Sequence, residues 1–154
     1  MAACTFNVPS PTEIPPAAAF DNVRRQFNAA ILIQALESME DDSYDKILGV
    51  MGADLFLPIF THVFGDARIG GFAGVVSLFR LQEQTGHPYS HDPVILERAA
   101  KVALHELGHL FNLVHCPEPE CLMHFAGDLG DLDRSPLYFC RSCMRIFHAA
   151  LGAS

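Results

Sequence analysis

Apolar side chains recur four apart at Val23, Phe27 and Ile31, and Ala35 continues the stripe. With no glycine or proline inside it, this pattern predicts a helix over residues 21–39. Residues 1–19 are rich in proline and alanine, with one short extended candidate at 4–8. Asp41, Asp42 and Asp45 mark a solvated turn before an apolar run of strand length at 46–51; a second run at 54–60 is broken by Pro58. Residues 65–81 read as a hairpin about Gly70 and Gly71, with 75–81 as its second strand. Asp92 followed by Pro93 is a helix start, and helix-favouring residues run on through Leu110. Beyond His115 the periodicity fades into turn residues and cysteine, until Ile146, Phe147 and Leu151 predict a short final helix after Cys143.

Composition narrows the class. The chain has 154 residues, half of them apolar and 18% charged, which excludes a disordered or fibrous protein. A net charge of −8 without a run of Lys or Arg argues against nucleic-acid and anionic-membrane binding. The first twenty residues hold no Lys or Arg and are interrupted by Pro9, Pro11, Pro15 and Pro16, so they lack the marks of a signal peptide. No stretch approaches the ~20 apolar residues of a membrane span. The expected compartment is the cytoplasm, where cysteine pairs are metal ligands or redox groups before they are disulfides.

The 8 His and 5 Cys are the unusual counts. His105-Glu106-Leu107-Gly108-His109 is an H-E-x-x-H motif inside the second predicted helix. Residues four apart lie about 40° apart around a helix, so both imidazoles reach one ion. Glu106, one position on, is placed to touch a water on that ion without ligating it. Chance would produce such a motif in a chain of this composition roughly 2% of the time, so it does not decide the matter alone. His115 adds weight. It lies six residues past His109, about 240° further round a continuing helix, and can be a third ligand only if the helix stops and turns back. Asn112 lies between them, and asparagine accepts the left-handed conformation that ends helices. His62, His87, His91, His124 and His148 read as surface or packing residues, His124 being set apart only by its neighbour Met123. The glycines of GDARIGGFAG lack the Gly-Lys-Ser/Thr ending of a phosphate loop and read as turn residues.

Cys116-x4-Cys121 and Cys140-x2-Cys143 are separated by 18 residues, the arrangement a tetrahedral four-thiolate zinc site requires. A redox dithiol at Cys140 and Cys143 is the lesser alternative, since no thioredoxin-like strand–helix context surrounds it. Cys4 is left over as a small apolar residue. Because His115 is bonded to Cys116, a zinc on the four thiolates is expected to fix the geometry of the histidine site.

HELGHLFNLVHC, then PEPECLM and later CRSC, resembles the archaemetzincins, a family of metzincin-type zinc peptidases with the pattern H-E-x-x-H-x-x-G-x-x-H-C, C-x-M and C-x-x-C. Weaker similarity runs upstream through 75–81 to near Asp21. The resemblance implies an α+β, zincin/metzincin-like single domain over residues 1–154. It would comprise a small twisted mixed β-sheet with a backing helix, an active-site helix carrying the HExxH motif, and a C-terminal zinc-stapled segment with a short helix. It also implies two zinc ions per chain: a catalytic one on His105, His109 and His115 with Glu106 as general base, and a structural one on Cys116, Cys121, Cys140 and Cys143. Met123 would be the methionine of the Met-turn beneath the metal; spacing alone makes it a core residue. Three departures stand out. Asn112 replaces the usual glycine, and the 16 residues between Met123 and Cys140 are one fewer than usual. The family's opening strand and helix also lack a counterpart, so residues 4–8 are expected to match its second strand, the start being truncated or the sheet one strand smaller.

The expected function is zinc-dependent hydrolysis of peptide bonds. A zinc-activated water attacks while Glu106 takes its proton and passes it to the leaving amine. The metzincin likeness suggests an extended peptide paired against the strand at 75–81. Some metzincins place a tyrosine two residues after the Met-turn methionine, where this chain has Phe125. The expected partner is a peptide or protein substrate, with no nucleic acid, no membrane and a monomeric chain. Some relatives are described as aminopeptidases. The alternative is a zinc-binding protein with little or no peptidase activity that acts through partners. A nucleic-acid-binding zinc module is disfavoured by charge, and a three-histidine ribonuclease by the presence of Glu106.

Overall fold

The computed structural model describes Asn7 and residues 16–39, 44–83 and 92–152. The extended candidate at 4–8 lies outside them except for Asn7, as do Cys4, Asp41, Asp42, His87 and His91.

The helix predicted over 21–39 begins late, at α1 (Ala29–Glu37). Asp21 is the cause: its carboxylate accepts from the N–H groups of Val23 and Arg24, both at 2.9 Å, and curls the chain into a turn. Arg25 completes that turn in the left-handed region, at φ 58°. The flanking residues become strands β1 (Phe20–Asp21) and β2 (Gln26–Asn28), paired antiparallel. Val23, the first residue of the supposed apolar stripe, is 94% exposed at the turn. Asn28 then caps α1 by accepting from the Ala30 N–H at 3.0 Å.

Two three-stranded sheets follow. β2 also pairs in parallel with β4 (Leu55–Phe56), giving the order β1-β2-β4. The second sheet has the order β3-β6-β5, with β6 (Ala73–Ser77) parallel to β3 (Ile47–Met51) and antiparallel to β5 (Gly65–Ala67). The hairpin predicted over 65–81 is therefore present, but its second strand ends at Ser77. There the Ser77 hydroxyl accepts from the Phe79 N–H and donates to the Ala53 carbonyl, and a 3-10 turn at Arg80–Gln82 buries Leu81. Successive residues of β6 point to opposite faces. Val75 packs with Ile33 and Leu32 of α1, while Val76 packs with Val102 of α2 (Pro93–Leu110), so the two helices cover opposite sides of this sheet.

Helix α2 runs as predicted, with Asp92 accepting from the Val94 N–H at 2.9 Å. A six-residue helix, α3 (Leu129–Arg134), was not foreseen; it is too short for periodicity to reveal. Two buried cations of α2 hold it. Arg98 donates to both carboxylate oxygens of Asp133 at 2.7 Å, and the Lys101 ammonium donates to the carbonyls of Leu132 and Asp133 at 3.1 Å. Helix α4 (Arg141–Gly152) starts before Cys143, not after it, so that Cys143 lies in its first turn. No helix among the described residues is long and apolar enough to cross a membrane.

A buried polar cluster ties the first sheet to the 3-10 turn that follows β6. The Asp54 carboxylate accepts from Gln26 of β2 at 2.8 Å and from the Arg80 guanidinium at 2.8 and 2.7 Å. Burial by itself pushes the Asp54 carboxyl up, but the bonds from Arg80 and Gln26 together with the Arg80 charge outweigh it and hold it below its ordinary value. A carboxyl depressed on folding stabilises the protein above its unfolded pKa, and that contribution is lost as pH falls through the folded value. Asp54→Ala, which orphans two donors, is expected to lower the free energy of unfolding at pH 7 by about 2–3 kcal/mol, measured by urea denaturation, with the deficit shrinking in acid. A loss below about 1 kcal/mol, or one independent of pH, contradicts this role.

Candidate functional site

The site is organised by the way α2 ends. The N–H of Asn112 returns to the carbonyl of His109 at 3.0 Å, and that of Leu113 to the carbonyl of Gly108 at 2.9 Å. These are the two bonds of a Schellman motif, and Asn112 occupies its left-handed position at φ 68°. The chain reverses and brings His115 back beside the helix. The ring centroids of His105, His109 and His115 lie 4.8, 4.9 and 5.3 Å apart, and one ring nitrogen of each falls within 4.8 Å of the other two. Gly70, at the tip of the β5–β6 hairpin, donates to the same His109 carbonyl at 2.8 Å and so docks the hairpin on the helix end.

Donor chemistry tests whether a cation fits. His105 Nδ1 lies 2.8 Å from the Leu122 carbonyl, and His109 Nδ1 lies 2.8 Å from the Leu113 carbonyl. A carbonyl only accepts, so both Nδ1 atoms carry the proton and both Nε2 atoms present lone pairs. Those two Nε2 atoms face each other at 3.1 Å, an arrangement that repels unless a cation lies between them. Burial, the larger cause, and the neighbouring imidazoles lower His105 to about 4 despite its bond to Leu122. Burial likewise lowers His109 and His115. Three neutral imidazoles with bare nitrogens converging on one point suit a divalent metal such as zinc.

Glu106 is 7% exposed, and among the described residues its carboxylate has no hydrogen-bond partner. Burial and, to a lesser degree, the charge of Asp66 push its proton affinity well above the ordinary carboxylate range. It lies against Gly65 of β5, where an added Cβ would come within 2.8 Å of the Glu106 Cγ and Oε1. Glu106 and the three histidines open into a cleft of about 590 Å³, walled on one side by Gly65, Asp66 and Ala67 of β5 and on the other by His124–Gly127. Leu57, Phe60, Ile69, Val114 and Phe125 give it an apolar rim.

Cys116, Cys121, Cys140 and Cys143 form a second cluster, their sulfurs all within 4.8 Å of one another and none in a disulfide. Burial pushes the Cys143 thiol up, whereas Cys140, just before the first turn of α4, is lowered to about 7, chiefly by the N–H of Cys143. Cys121 and Cys143 are buried beside Leu113 and Met123. Four soft donors at tetrahedral spacing suit a structural zinc.

The seven expected metal ligands thus fall into two clusters, and Glu106 lines the cleft beside the histidines. Met123 is fully buried under the helix, and an added Cβ at Gly108 would meet its sulfur at 2.6 Å. Gly108, between the two helical histidines, is therefore what admits the methionine. His62 and His124 both line the cleft, and His124 Nδ1 bonds the Cys116 carbonyl at 2.9 Å; in the sequence His62 looks no different from His148, and His124 is marked only by its neighbour Met123. Gly65 was also missed, because a glycine beginning a strand carries no sign of what packs on it. One expectation is overturned. The strand at 75–81 cannot take a peptide along its edge, because β6 is the central strand with β3 and β5 on its two sides. β5, an edge strand among the described residues, is the one that borders the cleft.

Comparison with known proteins agrees with this architecture. The chain matches the model of peptidase family M54 over residues 12–149. It is 39% identical over 136 residues to an archaemetzincin of Methanopyrus kandleri, covering 88% of this chain and 74% of that one. The crystal structure of archaemetzincin from the same organism superposes with a TM-score of 0.80, at 39% identity, covering 90% of this chain and 73% of the other. A zinc-dependent peptidase of Methanocorpusculum labreanum superposes with a TM-score of 0.77, at 32% identity over 88% of this chain and 82% of that structure. The sequence pattern, the fold and the family match converge on one assignment: this chain belongs to peptidase family M54, the archaemetzincins, and is a zinc-dependent metallopeptidase.

Proposed function

We propose that His105, His109 and His115 hold the catalytic zinc, that Glu106 is the general base, and that Cys116, Cys121, Cys140 and Cys143 hold a second, structural zinc. The observation that carries this reading is the convergence of three imidazole nitrogens within 4.8 Å, those of His105 and His109 bare, in the cleft that Glu106 also lines. Zinc held there supplies Lewis acidity, making a water a nucleophile near neutral pH and polarising the scissile carbonyl. The residues of the chain do the rest. An extended peptide lies along the outer edge of β5, its backbone paired with Gly65–Ala67 and its apolar side chains against Phe60, Ile69 and Phe125. The carboxylate of Glu106 takes the proton of the attacking water and delivers it to the leaving amine. Phe125 meets His115 edge to face, with ring centroids 5.3 Å apart, and brings no hydroxyl, so the oxyanion receives no phenol donor from that position.

A peptide-library assay tests the reading. Wild-type protein is expected to cleave, and Glu106→Ala to lose at least about 100-fold in kcat while retaining its zinc. Equal inactivity of the two proteins, both zinc-loaded, would leave a zinc-binding protein without peptidase activity. Gly65→Ala places a methyl against Glu106 and is expected to lower kcat about 10-fold with zinc content unchanged; an unaltered kcat would show that the Glu106 position is not critical. Metal analysis of purified protein is expected to find about two zinc per chain, the thiolate-bound ion alone surviving a mild chelator and activity departing with the other. Activity that persists after the first ion is removed would contradict the assignment.

A further inference from the structure

Residues 116–124 contain no helix or strand, yet they supply contacts to both clusters. Cys116 and Cys121 belong to the thiolate site, and His115 precedes Cys116 directly. Between the two cysteines and Met123, the carbonyl of Leu122 accepts from His105 Nδ1 at 2.8 Å. That bond decides which nitrogen of His105 keeps its proton and which is bare toward the metal. The carbonyl of Leu122 has no regular structure to hold it. Its place is set by bonds centred on the cysteines: Cys116 N–H to the Met123 carbonyl at 2.8 Å, His124 N–H to the Cys121 carbonyl at 2.9 Å, and Leu122 N–H to the Tyr138 carbonyl at 2.8 Å. From the far side of the site, Cys140 N–H donates to the Cys121 sulfur at 3.3 Å. His124 Nδ1 adds a link to the Cys116 carbonyl at 2.9 Å.

We infer that Leu122 is a positioning residue: its backbone carbonyl makes metal affinity at the histidine site depend on occupation of the thiolate site, and the two sites load in order, thiolates first. The inference rests on the proposed assignment of the histidine and cysteine clusters as two metal sites. A cation on the four sulfurs draws together residues 116, 121, 140 and 143 and thereby places both His115 and the acceptor for His105. Without that cation the loop has only scattered hydrogen bonds to hold it, and two of the three imidazoles lose their orientation. The coupling is reciprocal, as linkage requires; the order of loading follows from the higher intrinsic affinity of the four soft thiolates, whose Cys143 is placed by α4 with no help from the histidines.

Cobalt(II) reads the two sites separately, since thiolate ligation gives intense charge-transfer bands that imidazole ligation lacks. Titration of the reduced, metal-free protein is expected to raise the thiolate bands to completion before the weaker bands of the histidine site appear. Cys140→Ser is expected to lower cobalt affinity at the histidines at least 10-fold, although Cys140 contributes no atom there. A second variant leaves every thiol in place. Ligation at Cys121 of a synthetic segment with an ester between Leu122 and Met123 weakens the Leu122 carbonyl as an acceptor and removes an N–H that donates to no described residue. Its thiolate bands should develop as in wild type, with affinity at the histidines lowered roughly 10-fold. Unchanged histidine-site affinity in both variants, or histidine bands that rise first in wild type, overturns the coupling. Failure of wild type to bind cobalt at one of the clusters overturns the two-site assignment instead.

Discussion

Where α2 stops, Asn112 adopts φ 68° and two N–H groups fold back on the carbonyls of Gly108 and His109. The remainder of the site depends on that reversal. An uninterrupted helix would carry His115 about 240° past His109 and far from the metal. The reversal instead returns His115 to the helix, starts the loop that carries Cys116, and leaves the His109 carbonyl able to accept from Gly70 of the β5–β6 hairpin as well as from Asn112. The strand that borders the cleft is thereby registered against the helix that bears the histidines. Gly70 accommodates Asn112 closely, since an added Cβ there would lie 2.5 Å from the asparagine Oδ1. An asparagine at this position thus serves the turn and packs against the glycine opposite.

Around that turn the structure uses buried polar groups where a small domain has little apolar volume to spare. Arg98 and Lys101 are 4% and 2% exposed, yet each meets acceptors at the carboxyl end of α3, where helix carbonyls favour a cation. They hold Leu132 and Asp133, and Leu132 lines the cleft. The Gln26–Asp54–Arg80 cluster performs a similar service for the first sheet and the 3-10 turn. Removing a partner from either group leaves a buried charge or donor behind, which is why such residues hold positions with little tolerance.

The metal chemistry was legible because it is local. Histidines at helical spacing, an asparagine able to end the helix, and two close cysteine pairs each state their geometry within a few residues. The Asp92 cap and Pro93 announced α2 for the same reason. What was misread depended on partners distant in sequence. Residues 21–28 have helical periodicity, but the turn at Asp21 and the pairing of β2 with β4 prevail over it. The metzincin likeness puts the peptide-binding edge on 75–81, but the apolar character of that run puts β6 in the middle of its sheet. Gly65, Gly108, His62 and His124 owe their roles to what packs against them, and a single sequence does not record that.

The central claim is that one chain builds two metal centres of different chemistry, joined by the loop that contains Met123. Zinc K-edge X-ray absorption on the fully loaded protein tests it most directly. The account predicts a mixed first shell averaging about two sulfurs and about two nitrogen or oxygen atoms per ion, at about 2.3 Å and about 2.0–2.1 Å respectively. A first shell made only of sulfur, or one with only nitrogen and oxygen, would contradict it.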